Sequence, residues 1–289
     1  MNSQAPILAC TDGSLYAPSI YQHAAWAASR FGGLIHVVHV IEHEEFTPGR
    51  DLSGSIGFDA NTELLAELAS LDESRSRVAR LRGKAILEDA VSRLGASPTG
   101  NGGEILTTQW HGSLVETLEE FEKDAALVVI GKRGEHADLA KGHLGSNLER
   151  VVRSAKIPVL VAAREFHQPT RFLIAYDGGP SSLKAVHHAA TQPLLRGIEC
   201  HMIAVGKPGG ELADSLEESA SALRGSGFPV HAELISGDPD VVIAHEVKAR
   251  EIGLLVMGAY GHSPIRRFIL GSTTTTLIRT CLVPVMMFR

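Results

Sequence analysis

Three glycines and two hydroxyls near the C-terminus carry the clearest chemistry in this 289-residue chain. An apolar run, Ile252 to Met257, ends in Gly258-x-x-Gly261, and after nine more residues come Gly271, Ser272 and Thr273. A strand, a glycine-rich loop and a helix start in that order turn backbone N–H groups and a positive helix end toward an anion. Gly258 and Gly261 allow positive φ and close approach of a ligand. Ser272 and Thr273 add hydroxyl donors and N-cap chemistry. The plainer alternative is that the glycines only turn the chain after a strand.

The elements that must hold these residues repeat within the chain. Pro6-Ile-Leu-Ala-Cys-Thr-Asp12-Gly13-Ser14 has a partner in Arg171-Phe-Leu-Ile-Ala-Tyr-Asp177-Gly178-Gly179, 165 residues later, each followed by a Ser and an Ala-rich helical pattern. Leu127 to Gly134 matches Leu254 to Gly261 at an offset of 127, and Ile157-Pro158-Val159-Leu160-Val161 matches Val283-Pro284-Val285-Met286-Met287 at 126. A duplication explains this pattern. The fall in offset places 38 extra residues in the first copy, around 43–80, where a polar stretch gives way to a charged helical pattern over about 62–94. The first copy's own glycine loop is one residue longer between Gly134 and Gly145.

Strands are expected near 6–11, 34–41, 104–109, 126–130 and 158–162, and again near 171–176, 198–205, 230–235, 253–257 and 283–287. Runs of Val, Ile and Leu alternating with amphipathic helices indicate an α/β class, with two tandem doubly wound domains of five parallel strands each. The polar linker 164–169 puts the boundary near 167, giving domains 1–167 and 168–289. In such sheets ligands sit beyond the carboxyl ends of the strands, at the switch in strand order. Asp177 and Gly178 end the second copy's first strand and Gly258 ends its fourth, so loop, carboxylate and helix start can converge there.

The helix end alone contributes only ~0.3–2 kcal/mol to holding an anion. Micromolar affinity needs about 8 kcal/mol, so further N–H groups and an apolar slot must supply the rest.

The Gly-x2-Gly-x9-Gly-(Ser/Thr) pattern, after an apolar strand and before helix then strand, resembles the nucleotide-binding signature of the universal stress protein (UspA) family. The resemblance covers both halves except 43–80. It implies an adenine-nucleotide alpha-hydrolase-like, Rossmann-like fold that binds ATP, or AMP or ADP, in a stress response. It places Asp177 and Gly178 near ribose and phosphates, Val205 at the adenine, Met257 along the nucleotide, and Gly258, Gly261, Gly271, Ser272 and Thr273 around the phosphates. In the first copy the corresponding set is Asp12, Val40, Ile130, Gly131, Gly134, Gly145, Ser146 and Asn147. Lys132, Arg133, Lys141 and His143 there read either as an anion site or as solvated surface. Single-domain family members pair through their last strand. The resemblance therefore also implies an internal pseudo-dimer, with Pro158 and Pro284 close to its axis; a further homodimer is compatible. Proline in those last strands suits an edge position.

Composition bounds the rest. A net charge of −6 without a long basic block disfavours nucleic acid. No run approaches 18 apolar residues and the N-terminus lacks a basic start, which reads as no membrane span and a cytoplasmic protein. Cys10, Cys200 and Cys281 read as buried free thiols of a reducing compartment. His36 and His39 would point to opposite faces of one strand, His187 and His188 diverge on a helix, and no spacing matches a zinc pattern, so no metal is expected. A convergence of His111 with His136 or His143 stays open.

No G-x-x-x-x-G-K-[ST], G-x-S-x-G, H-E-x-x-H or G-x-G-x-x-G motif occurs. No catalytic residues are expected. Asp177 is the only reasonable base for slow ATP hydrolysis, and the chain reads as a binding module rather than an enzyme. Asp12 and Asp177 also suit plain capping of the helices that follow them. The alternative function is a stress scaffold, not binding nucleotide, that works through protein partners of the 43–80 insertion.

Overall fold

The structure is a computed structural model that describes residues 5–42, 58–96, 103–132, 134, 145–259 and 271–289. The first half runs β1 (Ile7–Cys10), α1 (Ala17–Phe31), β2 (Ile35–Ile41), α2 (Phe58–Gly95), β3 (Ile105–His111), α3 (Leu114–Phe121), β4 (Leu127–Gly131), α4 (Ser146–Ser154) and β5 (Val159–Ala162). The second repeats it as β6 (Arg171–Tyr176), α5 (Pro180–Thr191), β7 (Glu199–Val205), α6 (Glu211–Gly225), β8 (Val230–Ile235), α7 (Pro239–Ala249), β9 (Leu254–Gly258), α8 (Ser272–Thr280) and β10 (Val285–Phe288).

The strands form one sheet in the order β3-β2-β1-β4-β5-β10-β9-β6-β7-β8. Each half is parallel and doubly wound, and its strand order reverses between its first and fourth strands. The halves meet where β5 and β10 pair antiparallel, Val161 with Val285, Leu160 with Met286 and Val159 with Met287. This ladder joins the two sets of five strands into one sheet. The proline reading is corrected here. β5 and β10 end their own five-strand sets but lie in the interior of the joint sheet, and the ladder centres on Leu160 and Met286, each two residues past Pro158 or Pro284.

Period-two alternation explains the burial of both sheet faces. Ile7, Ala9, Val129, Phe172, Ile174 and Val256 face α1, α2, α5 and α6. Leu8, Val128, Leu173, Leu255, Val285 and Met287 face α3, α4, α7 and α8. Polar ties cross the junction as well: Ser19 Oγ donates to the Ala163 carbonyl at 2.7 Å, and Arg30 Nε to that of Leu194 at 3.0 Å.

Residues 43–57 lie outside the described residues, but from Phe58 onward the insertion is continuous with α2, whose 38 residues compare with 15 in α6. At about 1.5 Å per residue α2 is roughly 57 Å long, against about 23 Å for a seven-residue strand. Gly83 marks the place where it crosses the carboxyl ends of β2 and β3. A β-carbon there would stand 2.7 Å from both His39 Cδ2 and Gln109 Nε2. The residues before it run on past the sheet, and 69–78 are all exposed.

Candidate functional site

At the carboxyl end of β6 the chain turns through Asp177 and Gly178. Gly178 has φ 74°, the value also found at Gly13 in the first copy, which only glycine adopts without strain. Asp177 Oδ1 accepts from Gly179 N at 2.9 Å and from Ser182 Oγ at 2.7 Å, so its carboxylate ties the turn to the first turn of α5. Asp12 holds its own turn, accepting from Ser14 N at 2.9 Å. The capping reading is corrected: both carboxylates hold the turn after their strand, neither α1 nor α5 has a side-chain cap at its N-terminus, and of these bonds only Asp177's, through Ser182, reaches the following helix. Asp177→Ala is expected to lower stability by about 1–2 kcal/mol without any nucleotide present. Urea unfolding checks it, and an unchanged midpoint would contradict this role.

Across the switch point, β9 ends at Gly258, with Met257 buried beneath it. Gly258 is not among the glycines of positive φ. That corrects the conformational argument made from sequence: the physical reason for glycine here is packing. A β-carbon would stand 2.8 Å from Ser181 Cβ, against the start of α5. Helix α8 begins just above. Gly271 is its N-cap, no side chain caps it, and its first turn holds no acidic residue. Ser272 is exposed, Thr273 is half-buried, and Thr274 is buried with its hydroxyl 3.5 Å from the Gly258 carbonyl. Thr274 thus pins the helix start over the end of β9. Val205, half-buried, ends β7 on the far side of β6. Asp177, Gly178, Val205, Met257, Gly258, Gly271, Ser272 and Thr273 therefore gather along one edge of the sheet; Gly261 lies outside the described residues.

The first copy brings the equivalent residues together but closes the mouth differently. Val40 is half-buried at the end of β2, and Ile130 and Gly131 end β4. Gly134 sits so close to Asp12 that a β-carbon would be 2.9 Å from Oδ2. Gly145 caps α4, whose first turn contains Glu149. Asn147 Nδ2 donates to Glu42 Oε1 at 2.9 Å. Two carboxylates thus lie at or near a helix end that is uncompensated in the second copy. Sequence reading missed Glu42, because the contact spans 105 residues and leaves no local pattern. The side chain of Ser146 and the residues Arg133, Lys141 and His143 are outside the described set.

Lys132 is not an anion ligand, contrary to one of the two readings above. Its Nζ donates to the carbonyls of Cys281 and, at 3.1 Å, Val283, both in the other half of the molecule. Burial pushes its pKa down to about 8. The second copy has Ala259 at this place, whose N–H donates to the Phe288 carbonyl at 2.7 Å. A hollow of about 320 Å³ lies beside Gly13, lined by Ser14, Pro18, Arg82, Ile86 and Arg93. Its Arg93 is already held by Asp89 at 2.7 Å.

His36 and His39 are structural. His36 bonds Thr108 and meets Phe121 of α3, while His39 bonds the Thr11 carbonyl beside α2, so they do occupy opposite faces. Among the described residues no group of three or more His, Cys, Asp or Glu is arranged to hold a metal. Cys10, Cys200 and Cys281 are free and buried, and burial raises each thiol, Cys10 to about 12. Among the described residues no helix is long and apolar enough to cross a membrane.

Together these features define a class: α/β proteins of the adenine-nucleotide alpha-hydrolase-like fold, here in two tandem copies. The family model described as "Universal stress protein family" matches residues 5–163 and again 169–289. The chain belongs to the universal stress protein family. It is 36% identical over 287 residues to universal stress protein Slr1230 of Synechocystis, covering 98% of this chain and 99% of that one. A universal stress protein of Archaeoglobus fulgidus superposes with a TM-score of 0.70 at 22% identity, over 99% of this chain and 97% of its own. A shorter one from the same organism, solved in complex with dAMP, covers 41% of this chain and 96% of its own at 18% identity and a TM-score of 0.32.

Proposed function

We propose that this chain binds an adenine nucleotide, ATP or its relatives AMP and ADP, chiefly in its C-terminal copy, and serves as a nucleotide-responsive module in a stress response. The observation that carries the reading is the start of α8. It is pinned by Thr274 above Gly258 at the switch in strand order, with no side-chain cap and no acidic residue in its first turn. Such an end favours a phosphate. Asp177, Gly178, Val205 and Met257 line the same edge and suit the ribose and base in the way family resemblance implies. Gly261 belongs to the same cradle in this reading. Among the described residues no group is poised to take a proton from water apart from Asp177, which already accepts two hydrogen bonds, so turnover of ATP is slow or nil in this reading. The protein works in the cytoplasm in this reading.

The test is mass spectrometry of small molecules released from the purified, denatured protein. An adenine nucleotide in stoichiometric amount supports the reading; its absence, together with no uptake of added ATP, contradicts it.

In the first copy the Glu42–Asn147 bond places a carboxylate where a phosphate would lie, so that site stays empty in this reading. Glu42→Ala is accordingly expected to raise binding from one nucleotide per chain toward two, measured by isothermal titration. An unchanged stoichiometry would count against Glu42 as the block.

A further inference from the structure

The outer half of α2 has no role in the nucleotide reading. Where it runs beyond the sheet it exposes a stripe of large apolar side chains, Leu71 at 52%, Val78 at 63% and Leu81 at 64%. Leu71 and Val78 are seven residues apart and Leu81 three further on, a helical spacing that keeps them on one side. That side is turned away from the one that Gly83, Leu87, Ala90 and Leu94 bury against the sheet. Residues 69–78 of this helix are all exposed. Its charges are also sorted. Glu67, Asp72 and Glu73 come first, then Arg75, Arg77 and Arg80.

We propose that this segment pairs antiparallel with the same segment of a second copy of the chain. A twofold axis between Ser74 and Arg75 sets Leu71 of each copy against Val78 of the other. The same axis brings the acidic half of one helix alongside the basic half of the other. A parallel pair would oppose like charges throughout. The sequence thus complements itself in one orientation, which is what a closed homodimer requires. This assembly is separate from the β5–β10 junction within the chain and does not depend on nucleotide.

Sedimentation equilibrium of the full chain over a range of concentrations tests it. The wild type is expected to dimerise. Leu71→Glu with Val78→Glu should weaken the dimer by about 100-fold or more and leave the circular dichroism of the sheet domains intact. Asp72→Arg with Glu73→Arg should weaken it by about tenfold, and adding Arg75→Glu with Arg77→Glu should restore it, which a fold defect would not do. Ser74→Cys, next to the axis, should form an intermolecular disulfide on mild oxidation, since the native cysteines are buried. A monomeric wild type overturns the proposal, even if another protein binds the stripe. So does a dimer indifferent to the Leu71 and Val78 changes, or a charge swap that fails to restore pairing.

Discussion

Between pH 6.5 and about 4 the folded state is expected to lose on the order of 3 kcal/mol for each of two histidines, His23 and His188. They are equivalent positions of the duplication, 165 residues apart on α1 and α5. His23 Nδ1 bonds the Ser19 carbonyl at 2.7 Å and its ring meets Phe166; His188 packs edge-on to Phe288 of β10. Both Nε2 atoms are buried without a partner. Protonation would place an N–H there with nothing to accept it, so burial lowers both pKa values to about 4. His167 and Lys132 add repulsion at His23, as His187 does at His188.

Above pH 6.5 both the folded and unfolded chains hold neutral imidazoles and this contribution is fully present. Below it the unfolded chain takes up protons that the folded chain refuses, and stability falls until pH passes about 4. Urea midpoints measured through this window should drop steeply. The double variant His23→Asn, His188→Asn should show a much flatter profile, because neither amide can be protonated and the one at 23 keeps a donor toward the Ser19 carbonyl. Parallel profiles for the two proteins would contradict the assignment. His36 and His201 shift the same way through burial, so some slope remains in the variant.

The second large effect concerns the phosphate cradle. Ser272→Glu puts a carboxylate in the first turn of α8, where none now stands. It is expected to stabilise the helix by about 0.3–1 kcal/mol, because a negative side chain suits the positive end. The same charge occupies the place proposed for phosphate, and nucleotide affinity should fall by at least about 100-fold, which is roughly 2.7 kcal/mol. Gain in stability with loss of binding separates this variant from one that merely unfolds. Gly258→Val would not make that distinction, since its side chain must displace Ser181. A Ser272→Glu protein that binds ATP as the wild type does would remove α8 from the site.

The strands were legible to within about two residues because each is a compact run of Val, Ile and Leu bounded by turn residues, and because each appears twice. The duplicated Asp-Gly turns were equally plain: Gly13 and Gly178 have the same φ and their aspartates hold the same kind of turn. Contacts far apart in sequence left no such trace. Lys132 looked like a loop cation and instead crosses 149 residues to Cys281. Glu42, with no motif of its own, meets Asn147. Gly258 suggested a conformational need, whereas its close neighbour is Ser181 on another element. The helix over about 62–94 was visible as a charged helical pattern, yet its course over the ends of β2 and β3, where Gly83 meets His39 and Gln109, is one no periodicity encodes.

Equilibrium dialysis of the wild-type chain against labelled ATP, with Ser272→Glu alongside, tests the central claim most directly. The expected result is saturable uptake of one nucleotide per wild-type chain and none by the variant at the same concentrations. Absence of uptake by the wild type, or equal uptake by both proteins, would contradict it.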